Sequence, residues 1–394
     1  MSDQLWTQLR DGIQAQLAHS NDEGAARALA IAEAAGLPAA RTEGWRYSPL
    51  RLLARALRPA ADRGEAAPIP DLAMRVPGES DLPDFEAGPA QTEDQSRGAG
   101  RAFAWLARAS GCRLLTLSGR STKPVYLNPL VDLDSSLPHR HQQVQIAAGA
   151  DLTVIEHYRG DQSGSFANLL QQISLGEGAV VHWLRLVEAG APDHLIVRSE
   201  FDLAAGARLI HHSLELGGAW SRHDLQFRLA GEQAELISRG LLPMAGKRHA
   251  DTQLEVIHAL GNTRSQMGWR GVAADRSRAV FNGRILIQAG ADGSDAALNT
   301  ASLLLSPHAE IDAKPELEIY ADAVKAAHGA AIGQLDPQAL FYMRSRGLPE
   351  AQARQLLMAS FCRHALEDLP ADLIAAIEPR VDLAIDALNQ GEKA

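Results

Sequence analysis

A mainly β chain with a β-helix (β-solenoid) core between helical ends is the fold class this sequence predicts, and three patterns predict it. The first is an internal repeat. A turn of the form apolar-x-x-Gly-Ala-x-Leu recurs between strand-like runs: AAGADLTVIEHY from Ala147, LGEGAVVHWLRLV from Leu175, LAAGARLIHHSLEL from Leu203 and LAGEQAELISRGLL from Leu229. The alanines after the turn, Ala150, Ala179, Ala207 and Ala234, lie about 28 residues apart, a period typical of stacked repeats. Each repeat holds two short strands that can bury an inner face only if neighbouring rungs stack. An antiparallel sandwich would instead place turns every ~8–12 residues with no longer period. The second pattern is helical periodicity at both ends of the chain. The third is a change from period 2 to a capped helix within a dozen or so residues near the C-terminus.

At the N-terminus, Leu5, Leu9, Ile13 and Leu17 recur every four residues and form one apolar stripe. A second helix is expected from about Asn21, as cap, to Gly36. In the stretch EGWRYSPLRLLARAL, Glu43 to Leu57, Trp45 and Tyr47 read as packing residues. From Pro59 to about Arg101 prolines punctuate acidic and small residues without periodicity, the composition of a linker or mobile loop. The expected organisation is a helical region over 1–58, a linker over 59–101, a β-helix core over 102–332 and a helical domain over 333–394.

Near the C-terminus, Leu317, Ile319 and Ala321 alternate with Glu316, Glu318 and Tyr320, a strand with one face fit for burial. His328 sits at the turnover from β to α. Asp336 is the expected N-cap of the next helix, with Pro337 in its first turn and Gly347 ending it. Pro349 starts a helix with the stripe Ala353, Leu356, Leu357, Ser360 and Phe361. Pro370 and Pro379 are expected to divide the remainder into two short helices.

The chain has 394 residues and a formal net charge of −10, which argues against nucleic acid as a partner. No apolar run approaches the ~18 residues of a membrane span. The start MSDQLWTQLR lacks the pattern of an export signal. The two cysteines, Cys112 and Cys362, give no disulfide framework and no Cys-x-x-Cys pair, so a reduced, cytoplasmic protein is expected. No GxxxxGK[ST], G-x-S-x-G, H-E-x-x-H or dinucleotide fingerprint occurs, and the chain is expected not to be an enzyme.

Histidine supplies the main candidate chemistry. His139 and His141 share one strand face and would start a metal site, although zinc needs three or four ligands. His211, His212 and His223 fall on consecutive rungs and are expected as solvated ladder positions. His249 and His258 fit no pattern. His328 precedes Gly329, where the backbone bends freely, and a neutral imidazole there is a competent iron ligand; its parity with Val324 and Ala326 points toward the buried face. Glu316, Glu318 and Asp322 would add oxygen ligands, against a plainer reading as solvated edge acids. Cys112 and Cys362 read as packing residues. Phe341, Tyr342, Arg344 and Arg346 combine aromatic and arginine groups in one short helix, the mix of a binding hot spot. The structural reading of the same helix has Phe341 covering the open end of the solenoid.

The stretch KPELEIYAD-x-VK-x-x-HGA-x-x-GQLD, Lys314 to Asp336, is followed by LFY-x-RSRG, Leu340 to Gly347. With FNGRILI (Phe281 to Ile287), Asn299 and LLLS upstream, it resembles the C-terminal signature of the SufB/SufD family of iron–sulfur cluster assembly proteins, on its SufD side. The resemblance is close from about Ala147 to Ala365. It implies a right-handed parallel β-helix flanked by helical regions. It also implies a non-catalytic structural subunit that pairs with SufB and docks the ATPase SufC, supporting iron entry and cluster assembly. SufC would dock on Phe341, Tyr342, Arg344 and Arg346. The last strands, with Glu316, Glu318, Tyr320 and Lys325, would pair with SufB or with a second copy. No intrinsic cofactor is expected; iron or an iron–sulfur cluster would be held transiently at the subunit interface, with His328 closest to it. Many SufD chains read Val-Lys-Cys-x-His-Gly where this one has Ala326, so the sister subunit would supply most sulfur ligands. A reduced flavin has been linked to the whole complex in this family. Two rivals stand beside this reading: a homodimeric scaffold acting without SufB, and a carbohydrate-active β-helix enzyme.

Overall fold

Period-2 alternation builds the strands: Leu225, Phe227 and Leu229 are buried, while Asp224, Gln226 and Arg228 between them face outward. The computed structural model describes residues 2–18, 22–39, 42–51, 53, 86–87, 101–130, 138–158, 166–188 and 194–390. Nearly all of the expected linker lies outside these residues, as does the expected cap Asn21. The first strands are β1 (Glu86–Ala87), β2 (Cys112–Leu117), β3 (Val125–Leu127), β4 (His139–Ile146) and β5 (Asp151–Tyr158). Then come β6 (Phe166–Leu175), β7 (Val180–Val187), β8 (His194–Leu203), β9 (Arg208–Glu215), β10 (Trp220–Leu229) and β11 (Glu235–Met244). The last are β12 (His249–His258), β13 (Arg264–Ala273), β14 (Arg278–Ile287), β15 (Asp295–Leu304), β16 (Glu310–Ile319) and β17 (Lys325–Gly333). Sheet A runs β1-β2-β4-β6-β8-β10-β12-β14-β16, and sheet B runs β17-β15-β13-β11-β9-β7-β5-β3. Apart from the antiparallel contact of β1 with β2, these pairings are parallel. Each turn of chain adds one strand to each sheet, which is the β-solenoid the repeat predicts.

The corner from sheet A to sheet B explains the repeat. Gly178 and Gly206 take φ +63° there, a conformation glycine adopts without a Cβ penalty. The amide of Gly178 donates to the Ala205 carbonyl at 2.9 Å, tying one rung to the next. The following alanines, Ala150, Ala179, Ala207 and Ala234, are buried, and so are Thr263 and Ser294 at the same place in the next rungs. Gln233 and Asn262 hold the corner at φ 59° and 57°. The turn therefore continues after the alanine signature ends.

Half of the solenoid interior is apolar, with Trp183, Phe201, Phe227 and Trp269 among its largest side chains. The other half is polar. Trp183 Nε1 donates to Glu156 at 2.8 Å, and Arg185 pairs with Glu215. Ser199 Oγ donates to Gln171 at 3.1 Å and lies 3.0 Å from His223 Nε2. This corrects the expectation that His211, His212 and His223 are solvated. His211 and His223 point inward, His211 with its ring 5.1 Å from that of Phe227. His212 faces outward but is covered, with Nε2 2.7 Å from the Glu367 carbonyl. A neutral imidazole with one hydrogen-bond partner can be buried among aromatic rings, which is why these positions are not solvated.

Helices α1 (Ser2–Leu17), α2 (Glu23–Ala35) and α3 (Arg101–Ala109) cover part of sheet A. Leu5, Leu9 and Ile13 form the buried stripe and join Trp45, Phe103, Phe166 and Trp220 in one cluster. Asp22 caps α2, accepting from the Ala25 amide at 2.9 Å. Helix α3 stands where the core was expected to begin in strand; AFAWLARA is a short apolar run whose alanines favour helix.

Helices α4 (Pro337–Ser345), α5 (Glu350–Arg363) and α6 (Ala371–Gln390) form the C-terminal region. Two expectations fail here. Pro379 lies inside α6 and does not end it. The stripe Leu373, Ile377, Val381, Ile385 and Leu388 packs along sheet B, and this burial outweighs the lost hydrogen bond. In α5 the buried residues are Ala353, Met358, Ala359 and Cys362, whereas Leu356 and Ser360 are exposed, so the stripe is rotated from the expected one.

A buried relay fastens α6 to the solenoid. Tyr126 Oη lies 2.6 Å from His157 Nδ1, and His157 Nε2 lies 2.6 Å from Glu188 Oε2. Arg380 Nε then donates to Glu188 Oε1 at 2.6 Å. Removing one partner strands a buried charge, so Glu188→Ala should destabilise the protein by about 3–5 kcal/mol in urea unfolding. Glu188→Gln should cost less.

Burial lowers the pKa of His139, His141, His212, His249 and His258 to about 4, and holds His211 and His223 well below the ordinary value of 6.5. Below pH 6.5 the unfolded chain binds protons that the folded chain refuses. The stability these groups contribute is complete above pH 6.5 and falls as the pH drops through the folded values near 4. Denaturant midpoints measured from pH 7.5 to 4 (roughly the range these pKa values span) should decline steadily; a flat profile would contradict the burial of these rings.

Candidate functional site

Both sheets end in unpaired strands on the same rung, β16 in sheet A and β17 in sheet B. Their outer edges present backbone groups without a strand partner among the described residues, and such edges are ready templates for another chain. Ile319 and Tyr320 at one corner of this end are 42% and 64% exposed, and Ile332, near the other end of β17, is 50% exposed.

His328 is placed by strand register. It sits beside Leu298 of β15, whose side chain lies in the apolar interior. Parallel register keeps neighbouring side chains on one face, so His328 points into the solenoid. Among the described residues no further rung covers it, and it is exposed. Ala326, two residues earlier on the same face, packs against the interior cluster.

The outward residues of β16 are ion-paired. Glu318 accepts from Arg284 Nη2 at 2.7 Å, and Glu316 lies 2.6 Å from Lys314 Nζ. Both remain surface acids, each held in an ion pair. Lys314 also reaches Glu43 at 2.8 Å, linking β16 to the N-terminal segment. That segment crosses sheet A: Arg222 Nη1 donates to the Gly44 carbonyl at 2.6 Å, and the Arg222 guanidinium lies 4.0 Å from the Trp45 ring centroid. Beneath it runs a groove of 800 Å³. Sequence reading missed Glu43, Arg278, Arg284 and Lys314; the one available signal was the solenoid period, which aligns Arg284 with Glu255 and Glu316. Tyr320, Asp322 and Lys325 are exposed at the same end.

Helix α4 follows as expected, with Asp336 accepting from the Gln338 amide at 2.8 Å and Gly347 at φ 90°. Phe341 does not cover the solenoid end. It is 74% exposed and Tyr342 is 59% exposed, and no residue of α4 is buried. Arg346 stacks on Tyr342, 5.2 Å from its ring, and Arg344 pairs with Glu350 at 3.2 Å. Ala339, Leu340 and Met343 are half-buried on its other side, so the helix presents an aromatic and cationic face that nothing covers among the described residues.

No group of three or more histidine, cysteine or acidic side chains is arranged to hold a metal among the described residues. His139 and His141 do share a face, but His139 Nε2 lies 2.8 Å from the Leu9 carbonyl and His141 Nε2 2.9 Å from Gln172 Oε1. Those contacts are packing contacts. Burial pushes the Cys112 thiol up to about 11 and Cys362 up to about 12, so neither supplies a thiolate at neutral pH. No helix among the described residues is long and apolar enough to cross a membrane.

Residues 131–361 match the family model described as SUF system FeS cluster assembly, SufBD core domain. The chain is 28% identical over 363 residues to the iron-sulfur cluster assembly protein SufD of Escherichia coli K12, covering 85% of this chain and 86% of that one. It is 29% identical over 371 residues to a SufBD family protein of Mycobacterium tuberculosis, covering 88% and 90%. A SufBD family protein of Synechocystis is 31% identical over 249 residues, covering 60% and 54%.

Proposed function

The chain belongs to the SufBD family of the SUF iron–sulfur cluster assembly system, and on that premise we propose that it is a non-catalytic scaffold subunit. It pairs with a SufB-like sister through β16 and β17 and docks a SufC-like ATPase through its C-terminal helices. The observation that carries this reading is the solenoid's open end, where β16 and β17 have no further strand beside them among the described residues and β17 carries an inward-pointing, exposed histidine. Strand addition across such an edge would satisfy its backbone groups and bring a second solenoid end over His328.

Iron and the nascent cluster are cargo in this scheme. His328 offers them a neutral imidazole at the junction. Thiolates come from the sister, since both cysteines here are held as thiols by burial. Glu316, Glu318, Tyr320 and Lys325 line the junction. Phe341, Tyr342, Arg344 and Arg346 form the ATPase-facing surface, in keeping with their exposure.

His328 makes no hydrogen bond or ion pair with the described residues, so His328→Ala should leave the unfolding midpoint unchanged. It should lower cluster maturation in cells several-fold; normal maturation would remove the ligand role. Phe341→Ala with Arg344→Ala should weaken binding of the SufC-like ATPase by about 2 kcal/mol or more, measured by calorimetry. Unchanged affinity would move that contact elsewhere.

A further inference from the structure

Charges along this solenoid obey a register rule. Wherever two charged residues are neighbours on adjacent described strands, their signs are opposite. On sheet A, Arg198 faces Asp224, Asp202 faces Arg228, Arg222 faces Asp251 and Glu255 faces Arg284. On sheet B one row reads Arg208, Glu235, Arg264, Asp295, Lys325. Like charges directly opposite one another would destabilise the pairing.

Strand β16 is the last rung on which the rule can be read. Its outward residues are Glu310, Asp312, Lys314, Glu316 and Glu318. Their counter-ions are shared. Arg278 serves Glu310 at 3.2 Å and Asp312 at 2.8 Å, Lys314 serves Glu43 and Glu316, and Arg284 serves Glu255 and Glu318. Six carboxylates therefore divide three cations, and four of the six stand on β16, the strand beyond which no further strand is described.

We propose that β16 receives a strand from a different chain that carries basic residues opposite its four carboxylates, and that this charge match selects the sister subunit over a second copy. The proposal rests on the edge-pairing reading above and adds the partner's chemistry to it. A second copy fits poorly. The pattern acid, acid, lysine, acid, acid reads the same in both directions. Setting Lys314 opposite its own copy therefore places like charges at every outward position. Shifting the pair so that Lys314 meets Glu316 sets Asp312 against Glu318. The alternative edge, β17, offers Lys325 as its one outward charge, followed by Ala327, Gly329, Ala331 and Gly333.

The test measures association of the full-length chain with the SufB-like subunit of the same SUF system, and with itself, by sedimentation at low and high salt. Wild type should bind the sister more weakly as salt rises and should self-associate less tightly than it binds the sister. Glu310→Lys with Glu316→Lys should weaken sister binding about tenfold or more and promote self-association. Glu310→Gln with Glu316→Gln, a milder change that preserves the strand, should fall between. Sister binding that is as tight in both variants as in wild type, with the same salt dependence, would overturn the charge selection while leaving edge pairing intact. A wild-type chain that prefers itself would also overturn it. Failure of wild type to bind the sister at all would remove edge pairing and, with it, this inference.

Discussion

Parallel strand register is the constraint on which the rest of this molecule depends. Each rung satisfies the backbone of the one before it and exposes its own, so the ladder cannot end without leaving unpaired groups. At its beginning, β1 lies antiparallel on β2 and helices pack alongside. At its other end nothing covers β16 and β17 among the described residues. The proposed biology sits at that end: exposed apolar positions, a crowded row of carboxylates and an imidazole pointing inward.

Register also sorts polar groups into two uses. Inside, it stacks Glu156, Arg185, Glu215 and His223 into a buried network that holds the rungs together. Outside, it lines up opposite charges from rung to rung, which makes the end strand's imbalance meaningful. The histidines divide in the same way. Eight have pKa values lowered by burial, whereas His328 is exposed for want of a further rung among the described residues.

Much of the architecture is legible in the sequence because it repeats. The alanine corner, the period-2 strands and the Asp336–Pro337 helix start each rest on local chemistry that a single chain displays. The inward parity of His328 was legible too, but its exposure depends on being last, which parity does not report. Phe341 was harder: an aromatic residue reads as a cover until the helix is seen to turn Leu340 and Met343 inward and leave Phe341 exposed. Pro379 was misjudged where packing against a sheet outweighed a local signal, and helix α3 where a short apolar run was placed in the β core despite its helix-favouring alanines. The polar interior was hidden because alternation says which side chains point inward, and an inward arginine or histidine is assumed to be an error of phase until its partners are known.

The most direct test is hydrogen exchange of the backbone amides of β16 and β17, in the isolated chain and in complex with the SufB-like subunit. The account predicts fast exchange of their outward amides alone and strong protection in the complex, with central strands such as β10 and β12 slow in both. Equal protection of β16 and β17 in the two states would contradict it, because the edge would then have no neighbour to wait for.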